Sequence, residues 1–289
     1  MSLQSPWLSL VALALMLAAV FCGAAIRRRW PEHHTNRETI ELLQTTVMLL
    51  ATFAAIVLGL LITSAKSDFD NLENDIRSFS ATLVQLDYGL EELGPEAVPI
   101  RQNLVRYAAA ATAAVWRDQA APQGNYFPAL PHTDTPGVST ATPILGQMLE
   151  RTNSALESLA PQTPPAIRHQ AAAQRLMNIA IEERWRITEA SMGSLSSPFF
   201  TVLLFWTAVI YLCFGLSAPL NRINLMALTL SALALSSAFF VIIDLYTPFS
   251  GLFTVSSVPM RGAIEEMLKQ PDGTPPPWPA GCSPTASTC

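Results

Sequence analysis

The chain has 289 residues, of which 50% are apolar and only 13% charged, and its mean hydropathy is positive. Water-soluble domains of this length rarely carry that balance, so a membrane protein with the lipid bilayer as partner is expected. A net charge of −5 argues against a nucleic-acid partner.

Residues 8–26, 42–65, 198–218 and 223–243 carry no charged side chain, and each is close to the roughly 20 helical residues that a hydrocarbon core requires. The expected fold is all-α: four transmembrane helices, with a long helical extramembrane domain continuous with the second and third spans. Gly23, Ala24 and Ala25 follow the first stretch, as they would in a cleaved signal sequence. No basic segment precedes it, however, and Arg27, Arg28 and Arg29 come after it. Phe21 is too bulky to precede a lipid-modified Cys22, so an uncleaved anchor is expected. Arg27, Arg28, Arg29 and Arg37 occupy the first short connection and Arg222 the second, which assigns both connections to the cytoplasm. The N-terminus, the long loop and the C-terminus then face the periplasm of a bacterial inner membrane.

The second span does not stop at the membrane edge. Ala51, Ala55, Leu58, Ile62, Ala65, Phe69, Leu72, Ile76, Phe79, Leu83, Leu86, Leu90 and Leu93 step alternately by four and three, an unbroken heptad seam along one helix over 42–93. Up to Ala65 the remaining surface of this helix is apolar too. From Lys66 it carries Asp68, Asp70, Glu73, Asp75 and Arg77, so the surrounding solvent changes from lipid to water near Lys66. Either the chain's own returning helices or copies of the stalk from neighbouring subunits would fill the seam. Within the bilayer, Ala51, Ala55 and Gly59 form a stripe of small residues that permits close helix approach, as do Ala227 and Ser231 in the last span.

Gly94 and Pro95 end the stalk, and a returning helix is expected over 99–118 with Ile100, Leu104, Tyr107, Ala111 and Val115 on one face. Seven prolines and glycines between 119 and 143 define a loop. Helices over 144–159 and 166–192 follow, separated by Pro161, Pro164 and Pro165. Ser197 and Pro198 suit the cap and first turn of the third span. The chain thus divides into 1–65, two spans with a short basic loop; 66–197, an extracytoplasmic helical domain; 198–245, two spans; 246–270, an interfacial segment and short helix; and 271–289, a disordered Pro-rich tail. Cys282 and Cys289 in that tail lie on the side where a disulfide can form.

Chemistry-bearing motifs are scarce. The spans hold no charged residue, which disfavours proton-coupled pumps and many ion-coupled transporters. His33 and His34 beside Glu32, and the isolated His132 and His169, lack metal-ligand spacing. There is no phosphate-binding glycine loop and no nucleophile elbow. No catalytic residue, cofactor or metal site is therefore expected, and the chain does not read as an enzyme. Gln44, Thr45, Thr46 and Thr52 in the second span, Thr207 and Tyr211 in the third, and Thr229, Ser231, Ser236 and Ser237 in the fourth admit two readings. They line a pore closed by apolar rings, or they bond to the preceding helical turn or a neighbouring helix. Asp244, at the end of the last span, either draws cations to an outer mouth, pairs with Arg184 or Arg186, or caps its helix. Tyr246 suits the interface, and Pro248 with Gly251 breaks the helix beyond it.

Ser197-Pro-Phe-Phe-Thr-Val-Leu-Leu-Phe-Trp206, the segment from Asp244 through Gly251, Val255-Ser-Ser-Val-Pro-Met-Arg261 and Val57-Leu-Gly-Leu-Leu61 together resemble the bestrophin-like domain family of bacterial membrane proteins, over most of 42–268. Leu72-Glu-Asn-Asp75 departs from the glutamate–alanine pair that relatives carry early in the stalk, and the Pro-rich loop is longer than usual. The resemblance implies a distant likeness to bestrophins, pentameric anion channels, and hence a homo-oligomer with an inorganic ion as partner. Two function classes follow: an oligomeric ion-conducting protein, or a non-conducting membrane-anchored sensor or scaffold. The second needs a partner, because the cytoplasmic connections are too short to hold an output domain.

Overall fold

The computed structural model describes residues 4–29, 37–116, 119, 120, 122, 141–191, 197–217 and 221–269. Among them the regular elements are all helical: α1 (Gln4–Arg29), α2 (Arg37–Glu91), α3 (Val98–Val115), α4 (Ala141–Glu157), α5 (Pro164–Ser191), α6 (Ser197–Ser217), α7 (Arg222–Leu245) and α8 (Val258–Leu268), with a single 3-10 turn over Pro95–Ala97. His33, His34, His132, Cys282, Cys289 and the tail expected over 271–289 lie outside the described residues, as do the side chains of Ser197 and Pro198. α1, α2, α6 and α7 are long and apolar enough to cross a membrane.

α2 runs 55 residues. It contains no proline, and its two glycines, Gly59 and Gly89, are too sparse to break it. Gly94, at φ 80°, and Pro95 end it. Leu93, the last position of the expected seam, falls beyond the helix end. α3 stops at Val115, where the Trp116 N–H closes the last turn on Thr112 O. α4 starts at Ala141, ahead of the expected 144, because Pro143 fits a first turn whose N–H groups have no helical partner. Pro164 and Pro165 open α5 for the same reason.

The residues divide into two compact units: Met1–Phe69 with Gly193–Thr254, and Asp70–Met192 with Val255–Cys289. In the first, Ala12, Met16 and Val20 of α1, Leu203 and Tyr211 of α6, and Ala232 and Phe239 of α7 form the core. Ala54, Val57, Leu58 and Leu61 bring one face of α2 against it. Phe200 meets Phe239 edge to face at 5.4 Å. α1 and α6 run in the same direction at backbone contact. A Cβ on Gly23 would collide with the Leu212 carbonyl oxygen, one on Gly215 would collide with that of Val20, and Arg27 Nη1 donates to Ser217 O at 3.2 Å. α7 runs the other way, and two hydroxyls fasten it: Ser236 Oγ donates to Ser9 O at 2.8 Å, and Tyr211 Oη donates to Ser231 Oγ at 3.0 Å.

The second unit closes on the half of the seam beyond Lys66. Leu72, Ile76, Phe79, Leu83, Leu86 and Leu90 of α2 are all buried within this one chain, each such side chain contributing about 1.5–3 kcal/mol. Tyr107 of α3 meets Phe79 edge to face, and Gly89 faces Ala173 and Leu176 of α5 with room to spare for a Cβ. Arg101 of α3 grips Asp87 with two hydrogen bonds of 2.8 Å. α8 is tied on by Trp116 Nε1, which donates to Val255 O at 2.8 Å, and by Arg261 Nη2, which donates to Ala120 O. Complete burial raises the Tyr107 hydroxyl to about 12, against a smaller downward pull from Arg184.

Gly23→Ala is expected to lower stability by about 1–3 kcal/mol, the cost of overpacking, even though alanine is the better helix former. Gly262→Ala in α8, where a Cβ meets nothing within 4 Å, should instead be neutral or gain up to about 1 kcal/mol. Thermal unfolding of the two variants in the same detergent checks the contrast.

Candidate functional site

Most of the apolar half of α2 stays uncovered in the chain. Of its most apolar stretch 6% is buried, against 28% in α6, 28% in α7 and 33% in α1. Opposite Ala54, Val57, Leu58 and Leu61, the helical period places Thr45, Leu49, Thr52, Ile56, Gly59 and Thr63, again in steps of four and three. All six are exposed, Leu49 by 71% and Ile56 by 58%. Hydroxyl-bearing or small residues at 45, 52, 59 and 63 therefore share one line with two branched apolar ones.

Each threonine hydroxyl on this line donates to the carbonyl four residues back: Thr45 to Glu41 at 2.9 Å, Thr52 to Met48 at 2.8 Å and Thr63 to Gly59 at 2.9 Å. Thr46 does the same to Leu42 from a flank of the helix. The donors are thus satisfied inside the helix, which is one of the two readings the sequence allowed, while the oxygen lone pairs remain available outside it. Ala51 is half-buried towards the core side, and Ala55 and Gly59 are exposed. A Cβ on Gly59 would meet nothing within 4 Å. The small-residue stripe is consequently unused by the chain's own helices, and the close approach occurs at Gly23 and Gly215 instead. Ala19 and Gly23, four apart, carried the sequence signal for it.

A second constellation closes the end of α7. Asp244 is 1% exposed, and its Oδ2 accepts the backbone N–H of Leu252 at 2.9 Å and of Phe253 at 2.7 Å. Its own carbonyl accepts the Thr247 N–H and hydroxyl, both at 3.0 Å. Gly251, at φ 138°, lies so close that any Cβ would strike the carboxylate. Pro248 sits in the turn between them. Ser64 and Asp68 of α2 lie beside Tyr246. The carboxylate therefore clasps its own following loop.

The two arginines expected as its alternatives have partners in the second unit. Arg186 pairs with Asp75 at 3.6 Å and Glu182 at 3.2 Å. Arg184 stacks on Trp185 at 5.3 Å from the ring centre and lies beside the Tyr107 hydroxyl. The neighbouring Glu183 accepts from Ser78 through Oε1, and its Oε2 is buried without a hydrogen-bond partner. His169 pairs with Glu92. Among the described residues no three acidic, histidine or cysteine side chains converge as a metal site would require.

A family model described as Bestrophin-like domain matches residues 13–260. Among solved structures, a tryptophan-to-alanine variant of a bacterial Bestrophin homologue from Klebsiella pneumoniae is 13% identical, with a TM-score of 0.64 over 92% of this chain and 97% of that one. A tyrosine-to-alanine variant of a Klebsiella pneumoniae Bestrophin homologue gives 0.59 at 13% identity, over 90% and 96%. A leucine-to-alanine variant described as a membrane protein gives 0.60 at 14%, over 90% and 97%. At such identities the likeness is one of fold. No curated protein matches.

Asp244→Ala is expected to lower stability by about 1–3 kcal/mol through loss of the charge-assisted bonds to 252 and 253. Asp244→Asn, which keeps one acceptor oxygen, should fall between it and the native chain. Limited proteolysis should cut 246–254 faster in the same order, read alongside thermal unfolding.

Proposed function

The chain belongs to the Bestrophin-like domain family, and from that premise we propose an oligomeric, ion-conducting membrane protein in which copies of α2 surround a shared pathway. The open line of α2 carries this reading. A ring of copies would alternate belts of hydroxyl lone pairs at 45, 52 and 63 with apolar constrictions at Leu49 and Ile56. Those constrictions are seven residues apart, roughly 10 Å along the axis. The belts would hold water and the constrictions would gate by dewetting. The distant likeness of the family to bestrophins, pentameric anion channels, favours anions as the permeant class. Because the hydroxyl donors are committed to the backbone, selectivity for anions would be set by size and dehydration rather than by O–H contacts.

In this reading 1–65 and 198–245 are the membrane part, 66–197 and 246–270 the extramembrane part, and 271–289 a tail. The neighbourhood of Ser64, Asp68 and Tyr246 supports a boundary near Lys66. The arginine-rich end of α1 and the Arg222 end of α7 face the cytoplasm and the extramembrane part faces the periplasm, on the strength of the basic asymmetry. In a cysteine-free background on intact cells, a cysteine replacing Glu73 should be labelled by an impermeant thiol reagent. One replacing Arg222 should react only after permeabilisation, and the reverse pattern would invert the assignment.

Purified protein in planar bilayers should pass unitary currents, and Thr52→Trp should cut them roughly tenfold or more by filling the line that faces the pathway. The same substitution at Leu233, on the exposed face of α7, should leave them unaltered. Electrically silent but correctly assembled oligomers would favour a scaffold, and a monomer would end the shared-pathway reading.

A further inference from the structure

One end of the first unit is basic. The C-terminal turns of α1 and α6 meet there through Arg27 and the Ser217 carbonyl, and α7 begins five residues later with Arg222. α1 and α6 contain no carboxylate, and the one in α7, Asp244, lies at its opposite end. Among the described side chains of these helix ends, Arg27, Arg28, Arg29 and Arg222 stand against Glu41.

Arg222 is exposed, and it heads a shallow open trough of about 370 Å³ along one face of α7, lined by Leu225, Met226, Thr229 and Leu230. The Thr229 hydroxyl is already committed to Leu225 O at 2.8 Å, so the trough offers one cation and otherwise hydrocarbon. Met226 and Leu230 are 67% and 61% exposed on a helix apolar enough to cross a membrane. A guanidinium at the rim with an apolar trough running from it along the helix matches a lipid phosphate and its acyl chain rather than a free anion, which would gain nothing from the trough.

We propose that this groove holds an anionic phospholipid, its phosphate on Arg222 and one acyl chain against Met226 and Leu230. The net positive surroundings favour a headgroup with no cation of its own over choline or ethanolamine, which would add an ammonium among arginines. The site is independent of whether α2 lines a pathway.

The test uses the full chain, delipidated in mild detergent, incubated with equal phosphatidylglycerol and phosphatidylcholine, washed, and weighed by native mass spectrometry. Phosphatidylglycerol should be retained in excess, and Arg222→Gln should reduce that excess about fivefold, the size of one arginine–headgroup contact. Met226→Trp, which fills the trough, should lower its retention as well. Arg77→Gln, an exposed position on the other unit, should change nothing, and circular dichroism verifies that each variant keeps its helix content. Equal retention of both lipids by the native chain, an unchanged excess in Arg222→Gln, or displacement by millimolar inorganic phosphate would overturn the proposal.

Discussion

Backbone polar groups in oil have no water to turn to, and everything else in this chain is arranged around that fact. Four helices satisfy it internally, and even the side-chain hydroxyls of α2 comply by donating to carbonyls one turn back. Where a hydroxyl reaches across instead, as Tyr211 does to Ser231 and Ser236 to Ser9, it joins helices that already share a core. The same constraint explains the end of α7. Asp244 is a charge at the edge of an apolar span, and it is tolerated because backbone N–H groups of its own loop surround it.

How far a sequence exposes such an arrangement depends on which atoms take part. The heptad stepping of α2 and its stop at Gly94 and Pro95 are side-chain and backbone-torsion signals, and both read directly. So does the all-helical, four-span character. The partner of Asp244 does not, because every residue carries an N–H and nothing in the letters marks those of Leu252 and Phe253 as the ones within reach. Gly251 was legible as a helix breaker, whereas its second requirement, room beside a carboxylate, depends on a loop closure eight residues long.

The candidate surface was half legible for a related reason. Thr45, Thr52 and Gly59 were recognisable as polar or small, but their alignment with Leu49, Ile56 and Thr63 on a bare face follows only once Ala54, Val57, Leu58 and Leu61 are known to take the opposite one. Smallness at Ala51, Ala55 and Gly59 was visible without a neighbour to use it, while the pair of single glycines that does seat two helices together, Gly23 and Gly215, belongs to segments about 190 residues apart in sequence. Membership of the Bestrophin-like domain family leaves these residue-level features to the chain's own packing.

Because Leu72 through Leu90 find their cover inside a single copy, the core of the second unit needs no companion to complete it. If copies associate, folding and association then separate: these side chains are covered before any partner arrives, and assembly obeys mass action through whatever surface remains bare. A weakened contact between copies would accordingly accumulate as intact, inserted single chains rather than as misfolded material.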